Sequence, residues 1–225
     1  MTPNKFMRLG LLKIIIDFVL NLFRKKQKPA EVIIPKPVIK KVKTEYIIDG
    51  IEYNSQRDNK INPLIACNVT STQMFMQNLF SKNNCPSDDD LMSYCNSDEM
   101  VEWAKKNIGK WTLQYSSKGK LNQVHAVLAK AVNDFAKSEI CFATSGITIE
   151  KIKEEIKEGN PLVLGGSFTK GGHMVCCVGF NQNGLIIHDP YGDWNTNYKN
   201  HNGEYVLYKF SDMELVLSGN GIMRR

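Results

Sequence analysis

The apolar positions of this 225-residue chain change their period along its length, and the change divides it. Over residues 6–23 (FMRLGLLKIIIDFVLNLF), Lys13, Asp17, Asn21 and Arg24 recur at spacings of four, four and three. They form one narrow polar stripe on an otherwise apolar helix, expected over residues 1–24. Residues 25–44 (KKQKPAEVIIPKPVIKKVKT) lose that period. Pro29, Pro35 and Pro37 among lysines keep a chain extended and stop a helix, so this stretch reads as a linker or strap. The folded domain is expected over residues 45–225.

Within that domain, EYIIDGIEYNSQ alternates about a turn at Asp49-Gly50 and predicts a hairpin or strand. Asn68 to Phe80 predicts a helix ending near Asn83 and Asn84, and Asp88 to Asn107 one or two more, with three aspartates complementing the dipole at the start. From Asn122 to Lys137, Val124, Val127, Leu128, Ala131, Val132 and Phe135 mark an apolar helical face. His125 sits among them and reads as an edge or core histidine. Thr148 to Glu158 predicts a charged helix closed by Gly159. The period then shortens to that of strands in PLVLGG, HMVCCVGF, GLIIHDP and EYVLYKF. Helices first and strands afterwards define an α+β fold.

Charge sharpens the boundary. The net charge is +6, yet residues 1–44 hold eleven Lys or Arg against Asp17 and Glu31, which leaves the rest slightly acidic. The basic arm suits an anionic surface, and the globular part lacks the basic excess of a nucleic-acid reader, so no nucleic-acid partner is expected. A membrane span needs about 20 apolar residues, and Lys13, Asp17 and Asn21 interrupt a shorter run. A secretion signal wants small residues after its apolar core, where this chain has Arg24, Lys25, Lys26 and Lys28. Docking of residues 6–24 on a membrane surface or an assembly partner is the favoured reading.

Six cysteines stand in the chain, with no paired Cys-x-x-Cys knuckle. Cys85, Cys95 and His125 are too loosely spaced for structural zinc, and no metal is expected. Cysteine hydrolysis needs a thiol at the start of a helix and an imidazole from elsewhere in the fold. Cys67 meets the first demand: it follows the turn-like Asn62-Pro63 and directly precedes Asn68, Thr70 and Ser71, side chains suited to capping. Cys176 and Cys177 lie inside a strand, one toward the core and one toward the other side, and read as packing residues. His173 follows Gly171-Gly172 at the start of that strand, where backbone can approach a ligand. Asp189 ends the next strand, and antiparallel pairing would bring its carboxylate to the His173 ring, with His188 on the opposite face.

In this order, YNSQRDN, NPLIACNVTSTQM, NPLVLGGSFTKGGHMVCCVGF and GLIIHDPYGD resemble the C-39-like branch of the papain-like cysteine peptidases, over about residues 46–210. The resemblance implies a papain-like fold, its N-terminal helical part packed on a C-terminal antiparallel sheet. It implies Cys67 as nucleophile, His173 as general base and then acid, Asp189 as orienter and Gln56 as oxyanion donor, without cofactor. The CNVTS form is similar to stand-alone bacterial and phage members, and no transporter domain is present to support bacteriocin export. At Gln73-Met74 the chain departs from the family, which usually has a small residue before the methionine; the departure is expected to narrow the packing behind the nucleophile helix. The expected substrate is a protein or peptide, a cell-wall peptide among the candidates. The rival class is an inactive papain-like module docked by the N-terminal arm. GGSFTKGG and the aromatic cluster Tyr191, Trp194 and Tyr198 are expected to form two lips of a cleft.

Overall fold

The computed structural model describes residues 39–42, 45–110 and 113–225, all within the compact unit 31–225. The amphipathic helix expected over residues 1–24 and most of the linker expected over 25–44 lie outside the described residues. Among the described residues, no helix is long and apolar enough to cross a membrane.

Helices and an antiparallel sheet share the fold, with most helices ahead of most strands, although β1 and β2 precede every helix. The helices are α1 (Cys67–Met76), α2 (Asp88–Cys95), α3 (Asp98–Asn107), α4 (Leu113–Ser116), α5 (His125–Ala136), α6 (Ile149–Lys157) and α7 (Phe210–Val216). Local chemistry explains several starts. Ser87 and Asp90 form a reciprocal capping box on α2, whose first turn holds Asp88, Asp89 and Asp90. Ser97 caps α3 and Thr148 caps α6.

The eight-stranded sheet comprises β1 (Ile39–Val42), β2 (Glu45–Ile48), β3 (Cys141–Thr144), β4 (Leu162–Gly166), β5 (His173–Asn181), β6 (Gly184–His188), β7 (Val206–Lys209) and β8 (Leu217–Arg224). Its main path runs β1-β2-β5-β4-β8-β3, with β6 pairing β5 and β7, and every pairing is antiparallel. Eight consecutive residues of β5, His173 to Phe180, are buried, so both faces of this strand are covered. That explains why Cys176 and Cys177 are both buried although alternation points them oppositely. Gly179 is required where β5 meets β2: a Cβ there would lie 2.4 Å from the Tyr46 carbonyl oxygen.

Three details differ from the sequence expectation. The hairpin lies ahead of Asp49-Gly50 rather than across it: β1 pairs β2, and the chain after Gly50 is not a strand. The strand β1 thus falls inside the stretch read as a linker. β3 and β8, which the pattern did not reveal, close the far side of the sheet against β4. Finally, α1 is not capped by side chains. Its N-cap is Ala66, with no side-chain hydrogen bond, and the expected capping residues serve other purposes.

Those purposes bind the helix into the core. Asn68 to Met76 are all buried, five of them polar, and each polar group is answered. Asn68 accepts from the Asn122 amide (3.1 Å), Thr70 donates to Asp88 (3.2 Å), and Thr72 donates back to the Asn68 carbonyl (2.7 Å). Ser71 donates to the Met174 carbonyl at 2.9 Å, which fixes α1 to β5 one residue beyond His173. Around them Val69, Met74, Phe75, Leu128 and Val175 are fully buried, each contributing roughly 1.5–3 kcal/mol of transfer free energy.

Candidate active site

Four segments converge on one end of this helix. Cys67 opens α1, His173 opens β5, Asp189 follows β6, and Gln56 sits in a short 3-10 turn, Gln56–Asp58. The two strands are in register where it matters: Cys176 pairs His188, so the chain leaving β6 passes beside the start of β5. His173 Nε2 and Asp189 Oδ1 are 2.7 Å apart, with the ring 4% and the carboxylate 0% exposed. The nitrogen left over is Nδ1, and the Cys67 thiol hydrogen-bonds the His173 ring. The four residues singled out in the sequence are therefore brought together.

Their environments push the pair toward its charged form. Burial alone would raise the Cys67 thiol, but the hydrogen bond and charge of His173 and the Met174 backbone outweigh it, and the thiol is more acidic than usual. Burial alone would lower the His173 imidazole, but the charge and hydrogen bond of Asp189, with a further contribution from Cys67, hold it above its ordinary range. The other cysteines go the opposite way. Burial pushes Cys85, Cys95, Cys141 and Cys177 up to about 12, and Cys176 well above its usual value.

Asp189 is held by partners the sequence did not announce. Its Oδ2 accepts from the Tyr208 hydroxyl at 2.7 Å, and its Oδ1 also accepts from the Tyr191 backbone N–H at 2.9 Å. Tyr208 is fully buried on β7 and accepts in turn from the Trp194 N–H at 3.0 Å. Burial, with Asp189 beside it, raises the phenol far above its usual range, so it remains a donor. The alternation of YVLYKF signals that one tyrosine faces inward, but nothing in it names the carboxylate. Behind them, a Cβ on Gly203 would lie 2.0 Å from the Asp189 carbonyl oxygen, so only glycine permits this approach.

Gln56 is 2% exposed; its backbone N–H donates to the Pro190 carbonyl (2.9 Å) and its Nε2 to the Pro63 carbonyl (2.7 Å). One N–H of the amide remains, and Gln56 lines the same cleft as Cys67 and His173. Gln73, which stands where the family usually has a small residue, and Met74 after it both hold Asn54 just upstream. Asn54 donates its side-chain amide to Gln73 at 2.5 Å and its backbone N–H to the Met74 sulfur at 3.4 Å.

The cleft has a volume of about 620 Å³ and is lined by uncharged side chains apart from the histidines. His125 is one of them. It is partly buried at the start of α5, with Nε2 3.1 Å from where a Gly165 Cβ would stand, in the wall of the cleft. The expected lips are partly realised. Gly171, Gly172 and Thr169 face Tyr191 across the cleft, whereas Trp194 packs below against Phe168 and Tyr208.

The cleft lies between the start of α1 and the strands β4 and β5 of the antiparallel sheet. Residues 48–214 match the model of the Peptidase_C39 like family, and the chain belongs to that family. Among solved structures, the chain is similar to a crystal structure of a Bacillus anthracis protein classed as a C39-like peptidase. The two share 13% identity and a TM-score of 0.46, over 80% of this chain and 97% of that one. No curated protein sequence matches the chain.

Proposed function

We propose that this peptidase is of the cysteine type, with Cys67 as nucleophile, His173 as general base and then acid, Asp189 as the group that orients the ring, and Gln56 as oxyanion donor. One observation carries the reading: Cys67 alone among the six thiols is made more acidic, and the cause is an imidazole whose other nitrogen rests on a buried carboxylate.

In the resting pair the proton sits on His173. The Cys67 thiolate attacks the substrate carbonyl carbon, a C–S bond forms, and the carbonyl electrons move onto oxygen. The uncapped start of α1 supports this step, because the Cys67 backbone N–H has no intrahelical acceptor and can donate to that oxygen alongside Gln56. When the intermediate collapses, the C–N bond breaks and His173 gives its proton to the leaving amine. Water then enters, His173 takes its proton, and hydroxide attacks the thioester to release the acid and restore the thiolate. Residues 6–24 remain a proposed docking arm for a membrane surface or assembly partner.

The test is cleavage of a diverse peptide library by the full chain, with the Cys67→Ala protein as control and products read by mass spectrometry. The reading predicts discrete cleavage that the variant lacks. Absence of cleavage, in the library and in a cell-wall suspension alike, would leave the inactive-module reading in its place.

A further inference from the structure

Beside His173 the cleft continues into a second cavity, and its chemistry is different. This cavity has a volume of about 850 Å³ and is bordered by Arg57, Lys170 and His201, with Tyr191 and Tyr198 between them. No acidic side chain lines it, and among the described residues neither Arg57 nor Lys170 forms a salt bridge. The first cavity, by contrast, carries no Lys or Arg at all.

The cationic wall is built, not incidental. The Arg57 guanidinium lies 4.1 Å from the centre of the Tyr191 ring and donates to the Tyr191 carbonyl through Nε (3.2 Å) and Nη2 (3.0 Å). These bonds fix the plane of the fork and leave Nη1 for another acceptor. Tyr198 is held in the left-handed region (φ 60°), as is Asn197 before it (φ 53°). A bulky residue there is strained, and such strain persists where the surroundings over-determine it. The Tyr198 hydroxyl is buried, with no hydrogen-bond partner among the described residues. Two cations without a salt-bridge partner on one wall of the cavity fit an anionic oxygen ligand.

Which part of a substrate would reach it follows from the proposed reaction, on which this inference rests. The acyl part stays on Cys67, while the leaving amine takes its proton from His173. The second cavity meets His173 through Tyr191 and Tyr198, whose rings lie 6.1 and 5.9 Å from it, centre to centre. The cationic cavity therefore lies within reach of the leaving segment.

We infer that the cavity bordered by Arg57, Lys170 and Tyr198 is a carboxylate subsite for the leaving segment of the substrate, so that the chain prefers an acidic residue just after the scissile bond. A carboxylate there has two sources, an acidic side chain or the end of the peptide, and both offer the same pair of oxygens.

The test needs no turnover. The full-length Cys67→Ala protein is titrated by calorimetry with three tripeptides: the amides of Ala-Glu-Ala and Ala-Gln-Ala, and Ala-Gln-Ala with a free C-terminal carboxylate. The Glu amide is expected to bind about tenfold tighter than its Gln counterpart, with the gain lost in 0.5 M salt. The same gain is expected to shrink several-fold in Lys170→Gln, an exposed position where folding is not at stake, and in Arg57→Gln. A gain confined to the acid-terminated peptide keeps the subsite but assigns it to the chain end. Equal binding of all three, or a gain indifferent to Lys170→Gln and Arg57→Gln, overturns it. Because binding is read without catalysis, failure of the carboxylate subsite and failure of the cysteine mechanism are told apart.

Discussion

Two histidines fifteen residues apart, on neighbouring strands, are both buried, yet their imidazoles move in opposite directions. His173 and His188 occupy neighbouring strands and are 6% and 0% exposed. His188 sits between Tyr53 and Tyr205, with ring centroids 5.8 and 4.4 Å away, and both of its nitrogens are buried without a hydrogen-bond partner. Burial pushes its imidazole down to about 4. His173 faces the same penalty but gains Asp189 and Cys67, and its imidazole moves up instead. A buried ring is thus held in its charged form by one carboxylate at hydrogen-bond distance, whatever its depth.

The sharpest way to break this contrast is Asp189→Asn. It leaves the shape but removes the charge, and makes the surroundings of His173 more like those of His188. The proposed peptidase activity is expected to fall by about 10²–10⁴-fold. Cys67 alkylation should also shift to higher pH, because His173 would no longer hold the proton. Retained activity at neutral pH would show that the carboxylate does not charge the ring.

Gln56→Ala comes next, with an expected loss of about 10²–10³-fold in kcat and little change in KM, measured on any peptide the library yields. A change confined to KM would make Gln56 a binding residue. Tyr208→Phe is milder. It removes one of the hydrogen bonds to Asp189 and is expected to cost about 1–3 kcal/mol in a denaturant titration, with a smaller effect on rate. Unchanged stability would mean that the carboxylate does not depend on this donor.

A pH titration of stability sharpens the other half of the comparison. Between about 4 and 6.5, unfolded His188 binds a proton that the folded chain excludes. Stability is therefore expected to fall as pH drops through this window, by up to about 1.4 kcal/mol per pH unit from this residue, and to level below it. His188→Phe keeps the stacking and removes the titration, so its stability curve should be flatter over the same window. Parallel curves for the two proteins would count against a buried neutral His188.

Much of this was legible because it rests on local chemistry. The Asp88–Asp90 and Thr148 starts, the Gly-bounded strands and the His173–Asp189 register all follow from short-range patterns. The start of α1 was harder to read. Nearly every residue of α1 is buried, so it has no polar face to generate a period, and its polar residues answer distant groups such as Met174 and Asn122. The strands β3 and β8 were missed for a related reason. Cys141–Thr144 is short, and Leu217–Arg224 carries Gly219 and Gly221, so neither has the bulk that marks a strand. Tyr208 and Arg57 took their roles from partners far along the chain, Asp189 and Tyr191, which no spacing predicts.

The central claim is that Cys67 is held as a thiolate by a charged His173. It is tested most directly by treating the full chain with iodoacetamide at graded pH and locating the alkylated cysteine by peptide mass spectrometry. The account predicts that Cys67 is modified at a pH well below its ordinary value of 9.0, while Cys85, Cys95, Cys141 and Cys177 stay protonated toward about 12. Alkylation of Cys67 in step with those four, at alkaline pH only, would contradict it.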